Sequence, residues 1–219
     1  MPRTRIPFER PEGKKKARLI IIAAEGRMTE KIYFEALAAQ YHSTGVHVEI
    51  IDRQTDSSDP RTVFEALDAF TKIYELDEDD ELWMVIDRDY KSWDDKQIGE
   101  VAQLCHQKPG FNLGLSNPAF EIWLLIHIKD IDKDYKEDDR EAFWHNRKVS
   151  QEKTVLKKEL SNIIPHGFNE SNYDAEYLIK NVHVAIERAR KMDQKPDDRW
   201  PNYLGTRVYL LTEKIIQGK

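Results

Sequence analysis

Four short apolar runs, each followed by a polar turn or a stretch with helical spacing, set the rhythm of the first half of the chain. Leu19 to Ala24 is apolar without alternation, the pattern of a strand buried on both faces. It stops at Glu25-Gly26, and a helix opens at Thr29 with Ile32, Leu37 and the aromatics between them available for a core-facing stripe. His47 to Ile51 reads as a second strand, closed by a polar loop from Asp52 to Asp59. Pro60 to Tyr74 sets Val63, Leu67, Phe70 and Ile73 at helical spacing. After the acidic turn Asp77 to Glu81 comes a third strand, Leu82 to Asp87, again nearly all apolar. Lys96 to His106 carries Ile98, Val101, Ala102 and Cys105 on one helical face, and Pro109-Gly110 ends it before a fourth strand, Phe111 to Leu115. This alternation predicts an α/β fold, a small and mainly parallel sheet flanked by helices with right-handed crossovers.

The second half is helical. Asn117 reads as a cap with Pro118 at the first helical position, which puts Glu121 in the first turn of a helix running to His127. Asp130 to Lys148 is charged and reads as solvated, although Phe143 and Trp144 suggest that part of it docks. Thr154 to Ile164, Ala175 to Met192 and Thr206 to Ile216 complete the helices. The expected organisation is a basic N-terminal arm over 1–17, a core over 18–129, and a charged loop with a C-terminal helical extension over 130–219.

Composition narrows the function classes. The 219 residues suit one sizeable domain, or one with an appendage, and no apolar run approaches the roughly 20 residues of a membrane span. The N-terminus lacks the apolar centre of a secretory signal. Cys105, the one cysteine, excludes an internal disulfide framework and a thiolate zinc cluster, so a cytoplasmic location without membrane contact is expected. A net charge of -6 is not the bulk basicity of a nucleic-acid binder. Its distribution is uneven, however. Arg3, Arg5, Arg10, Lys14, Lys15, Lys16 and Arg18 face only Glu9 and Glu12 within the first 18 residues, an arm suited to phosphates and equally to a solubilising tail.

The candidate chemistry is carboxylate chemistry. In an open parallel sheet, ligands bind at the carboxyl ends of the strands, and two of the apolar runs end on acid there: Glu25, and Asp87-Arg88-Asp89. Alternate positions on an extended chain point to one side, so Asp87 and Asp89 can converge on a single cation, and hard oxygen ligands suit Mg²⁺ or Mn²⁺. Acids also end ordinary strands. If the two strands are neighbours, three carboxylates crowd one edge, and a divalent cation would relieve their repulsion. Glu121 lies on a helix apolar nearly all round, so it needs a partner: this same site, an arginine, or the helix's own amides. His127 reads as a structural histidine. There is no G-x-S-x-G elbow, Walker A loop or G-x-G-x-x-G, which argues against a serine hydrolase, a self-contained NTPase or a dinucleotide enzyme.

The order of these motifs resembles the Toprim domain shared by topoisomerases, DnaG-type primases and OLD-family nucleases, and more closely the RloB-like family, to which AbiLii is similar. The resemblance rests on the basic arm with Phe8, then on Glu25-Gly26, Thr29-Glu30 and Tyr33-Phe34, and on the strand ending Asp87-Arg88-Asp89. It continues through Ser116-Asn117-Pro118, Phe120-Glu121, Trp123-Leu124-Leu125 and His127 to Pro201-Asn202 and Thr206-x-Val208, spanning roughly residues 3 to 213. Ala24 stands where cysteine is common. The resemblance implies a Toprim-like fold and a metal-dependent nuclease. Asp87 and Asp89 would hold Mg²⁺ or Mn²⁺, Glu25 would act as general base or acid or as a further ligand, and Glu121 would complete the outer side. Arg27, Arg88 and the arm lysines Lys14, Lys15 and Lys16 would meet the phosphates of RNA, tRNA among them, or of DNA. It further implies an effector of antiphage abortive infection paired with an ABC/AAA-type ATPase. The lack of a nucleotide-binding motif and the net charge of -6 predict an isolated chain that is weakly active or silent, with the ATPase docking through the C-terminal helices or Asp130 to Lys148. The alternative is a non-catalytic scaffold or sensor subunit of such an ATPase complex.

Overall fold

The computed structural model describes residues 5–10, 17–43, 45–52, 59–89, 93–151 and 153–218. In chain order these form β1 (Ile6–Pro7), β2 (Arg18–Ala24), α1 (Thr29–Gln40), β3 (Val46–Ile51), α2 (Pro60–Ile73), β4 (Tyr74–Glu75), β5 (Glu81–Asp87), α3 (Asp95–Gln107) and β6 (Phe111–Asn117). The rest is α4 (Glu121–Ile128), α5 (Ile131–Asp134), α6 (Glu137–His145), α7 (Val155–Ile163), α8 (Ala175–Ile179), α9 (Val182–Met192), β7 (Gly205–Thr206) and α10 (Val208–Gln217). The expected α/β architecture is present. A sheet ordered β3-β2-β5-β6-β7 is parallel except at β7, and β1 and β4 form a separate parallel pair.

The unbroken apolar runs have a direct structural cause. Leu19, Ile21 and Ala23 of β2, with Leu82, Met84 and Ile86 of β5, face a core closed by α2 and α3. The alternate residues Ile20, Ile22 and Ala24, with Trp83 and Val85, face a second core closed by α1, α4 and α7 to α10. Both faces of each strand are covered, so neither can afford polar alternation. α2 and α3 start on side-chain caps: Asp59 accepts from the Arg61 N–H (2.8 Å), and Asp94 with Gln97 forms a capping box.

Several sequence-based boundaries move. α4 begins at Glu121, and Asn117 is no cap. It ends β6, and its side-chain amide donates to the Pro201 carbonyl (2.6 Å). The predicted helix Ala175 to Met192 is divided between α8 and α9. The charged stretch from Asp130 is folded into α5 and α6, with Phe143 buried. Beyond residue 129 the chain shares its core with β2 and β5, and β7 extends their sheet, with Ser116 and Thr206 hydroxyls 2.8 Å apart.

The described part of the basic arm is docked. Phe8 packs on Phe70 and Tyr74, and Arg10 donates to both oxygens of Asp80 (2.9 and 2.8 Å). Lys14, Lys15 and Lys16 lie outside the described residues. No described helix is long and apolar enough to cross a membrane.

Candidate active site

Because β2 and β5 are adjacent and parallel, their acidic ends arrive together. Ala24 is in register with Val85, and the Glu25 N–H donates to the Val85 carbonyl (2.9 Å). The Asp87 N–H in turn donates to Glu25 Oε2 (3.1 Å). On the other side β6 sets Ser116 beside Asp87, and the turn into α4 aims the Phe120 N–H at Asp87 Oδ1 (2.8 Å). The Asp87 carboxylate therefore sits at the amino end of α4, where unpaired amides favour negative charge. Asp89 lies on the same edge, its N–H donating to the Pro118 carbonyl (3.2 Å).

Two further acids close in from the helices. Glu121 opens α4 and is 6% exposed. Glu30, in the first turn of α1, is 3% exposed; its Oε1 accepts from the Gly26 N–H (3.2 Å), while its Oε2 is buried without a hydrogen-bond partner. Gly26 is required for this close approach, since a Cβ there would overlap the Glu30 carboxylate.

These groups line a cleft of about 850 Å³. Trp144 of α6, Arg147 and Lys148 of the α6–α7 connection and Lys157 near the start of α7 line the same cleft. That connection is built rather than loose. Asn146 caps α6 in the left-handed region (φ 37°), and its Oδ1 accepts from the Leu156 N–H (3.1 Å). The Val155 N–H donates to the Arg147 carbonyl (3.0 Å), and Lys148 pairs with Thr154 in an antiparallel bridge. Lys157 lies 3.7 Å from Glu121 Oε1 and pairs with Glu170.

The electrostatics follow from burial. Desolvation first, then Glu25, Glu121 and Glu30, push the Asp87 carboxyl well above its ordinary range against the Phe120 N–H. Burial likewise raises Glu30 to about 7, reinforced by Glu121 and Glu25 and opposed by backbone N–H groups. Glu121 is raised because burial outweighs Lys157. Burial would lower Lys157, but Glu121, Glu170 and Asp87 raise it.

A family model described as RloB-like protein matches residues 20–215. The chain belongs to the RloB-like family. The matched span contains both acid-bearing strand ends, α4 and the basic residues of the cleft. Searches of curated proteins and of solved structures gave no match.

In this RloB-like chain, Glu25, Asp87, Asp89 and Glu121 all meet at the one cleft. They share it without closing to metal-ligand spacing. Among the described residues, the three acids whose ligand atoms all come within 4.8 Å of one another are Asp77, Asp79 and Asp80. That group could hold a cation by spacing, but it sits at the amino ends of the strands, where Arg10 pairs with Asp77 and Asp80.

Arg88 is a correction. Positions 87 and 89 face the cleft, so 88 faces away. Its side chain is 2% exposed, donates to the Trp93 carbonyl (2.8 Å) and pairs with Asp95, which withdraws it from substrate phosphates. Arg27 is exposed on a neighbouring depression with Met28, Lys31 and Asp52. His127 is structural, as its sequence context suggests. Nδ1 donates to the Trp123 carbonyl (2.8 Å), so Nε2 accepts from the Tyr33 hydroxyl (3.0 Å), and burial lowers its pKa to about 4. The residues that sequence reasoning missed are Glu30, Arg147, Lys148 and Lys157. Glu30 had a signal, an acid one helical turn after Glu25-Gly26; the cations had none.

Proposed function

We propose that this cleft is the active site of a metal-dependent nuclease that hydrolyses phosphodiester bonds in RNA, tRNA among them, or in DNA. One observation carries the reading: acids from two neighbouring strand ends and two helices line one cleft together with Arg147, Lys148 and Lys157. A phosphodiester is the substrate that needs both, a cation on the acids and positive side chains on the flanking phosphates.

The residues fit a hard divalent cation. The donor set is all carboxylate oxygen, and Glu30 Oε2 is a buried acceptor with no protein donor. Glu25, Asp87 and Asp89 would hold Mg²⁺ or Mn²⁺, with Glu30 as the next oxygen. Their open spacing suits Mg²⁺, which keeps several waters and takes only one or two carboxylates with substrate phosphate. Such an ion supplies polarisation of the phosphoryl group and activation of water. Glu25 is the candidate general base or acid. Without the cation, burial beside Glu121 and Glu25 raises the Glu30 carboxyl to about 7, a penalty that a bound cation would relieve. Arg147 and Lys148 hold phosphates on either side of the scissile bond, and Lys157 brings positive charge beside Glu121.

The same reading makes the chain an effector of antiphage abortive infection, governed by an ABC/AAA-type ATPase. α6 and the connection after it belong to the cleft wall, so an ATPase seated on the 130–148 segment would act on the cleft mouth. The test is incubation of the purified chain with labelled tRNA, other RNA and DNA, with and without Mg²⁺ or Mn²⁺, alone and with the ATPase. Metal-dependent cleavage that disappears in Asp87→Ala is expected. No cleavage in any combination would replace this reading with the scaffold subunit.

A further inference from the structure

Trp144 and Tyr203 form an aromatic pair at the border of the acidic cleft. Their ring centroids lie 4.9 Å apart in a tilted arrangement, with 34° between the ring planes. Trp144 lines the acidic cleft, while Tyr203 is 50% exposed and lines a second cavity of about 440 Å³ in which Arg140 is paired with Asp132. The pair is anchored on both sides. Trp144 belongs to α6, whose C-cap Asn146 is tied to α7, and Tyr203 follows Pro201, whose carbonyl accepts the Asn117 amide at the end of β6. Tyr203 leaves part of its ring open to solvent beside Trp144. Arg147 and Lys148 follow Trp144 within four residues on a fixed backbone.

Resting on the nucleic-acid reading of the cleft, we propose that Tyr203 and Trp144 are a stacking platform for an unpaired base, so that the substrate is a single-stranded or looped-out stretch rather than a duplex. Every base has a π-face, and in a duplex that face is taken up by its neighbours. Aromatics interleaved with phosphate-binding cations are the means by which single strands are gripped. Burial of the acids points the same way. Glu30 and Glu121 lie at the bottom of the cleft, and a phosphodiester reaches them more readily in a strand free to bend than in one paired along its length. The strand would run from Arg147 and Lys148 to the aromatic pair.

Binding is measured by fluorescence anisotropy with Asp87→Asn full-length protein, which blocks cleavage, using single-stranded RNA, single-stranded DNA and a duplex of the same sequence. Single strands are expected to bind at least about tenfold tighter than the duplex. Tyr203→Leu and Trp144→Leu should each lose roughly tenfold on single strands, with little change on the duplex, while Tyr203→Phe keeps wild-type binding. The RNA and DNA arms identify which strand the cell presents. Equal or tighter duplex binding, no binding of either form, or single-strand binding unaffected by Tyr203→Leu would each overturn the platform. Single-strand binding that depends on the aromatics, with no cleavage by wild-type protein in any metal, upholds the platform and removes the nuclease. Cleavage indifferent to Tyr203 does the reverse.

Discussion

The β2–β5 strand pair carries an acid cluster at each end, and the two are used in opposite ways. At the amino end Asp80 is buried and each oxygen has donors: Arg10 on both, the Leu19 N–H on Oδ1 (2.7 Å) and the Asp77 N–H on Oδ2 (2.9 Å). At the carboxyl end Glu30 keeps an oxygen with no donor, and burial with neighbouring carboxylates pushes Asp87 and Glu30 up. By spacing alone the amino-end cluster is the better cation site. What assigns the roles is where the lone pairs go. Asp80 spends its own on an arginine and two backbone amides, which fastens the N-terminal segment, the turn before β5 and the start of β2 together. At the carboxyl end the Glu30 Oε2 keeps its lone pairs, buried beside Glu121 and Glu25.

The largest effect expected from this contrast is on catalysis. Asp87→Ala should reduce cleavage by about 10³-fold or more, since a metal's charge stabilisation is worth several kcal/mol, with an unchanged circular dichroism spectrum. Asp80→Ala should do the opposite. Loss of a buried charge partner costs about 3 kcal/mol of stability in urea titration, and cleavage well below the unfolding midpoint should stay near wild type. A stable Asp80→Ala protein that no longer responded to metal would invert the assignment.

Smaller effects sharpen the carboxyl end. Glu30→Gln should stabilise the metal-free protein by about 1–3 kcal/mol above pH 7, because it removes a buried charge that only backbone N–H groups offset and whose Oε2 has no donor. The sign with pH follows from linkage. Folded Glu30 titrates near 7 and unfolded glutamate near 4.5, so the folded state binds the proton more tightly. The stability this gives is complete below about 4.5 and is lost as pH rises to 7. Melting temperature without metal should therefore fall over that interval in wild type, and fall less in Glu30→Gln. Replacing Arg147 and Lys148 together by alanine should weaken nucleic-acid binding several-fold and lower the slope of log affinity against log salt by roughly 2, as measured by anisotropy in a salt series.

The sheet was legible in the sequence because burial of both faces writes itself as continuous apolar runs, and every main strand falls within two residues of its expected bounds. From sequence the neighbouring of β2 and β5 is only a condition; the Ala24–Val85 register meets it and brings Glu25 to Asp87. What was illegible depended on partners distant in sequence. Asn117-Pro118 has the composition of a helix start, but the Pro201 carbonyl claims the Asn117 amide and the helix opens later. Arg88 lies between two cleft acids in sequence and points the other way in space. The basic residues of the cleft came from a stretch whose charge looked like solvation, since only the Asn146 cap and the Lys148–Thr154 bridge turn it toward the acids.

The edge position of β7 has a consequence for the order in which the chain is made. Segments fold as they emerge from the ribosome, amino end first. The acids on β2, α1, β5 and α4 emerge well before Arg147, Lys148 and Lys157. α4, buried nearly all round, lacks its cover until α7 and α9 follow, and β6 keeps an unpaired edge beside Asp87 until Gly205–Thr206 arrives. A nascent chain thus carries the acids before Arg147, Lys148 and Lys157 have joined it. On the nuclease reading, the tRNAs and message crowded around the ribosome meet a competent cleft only after nearly the whole chain has been released.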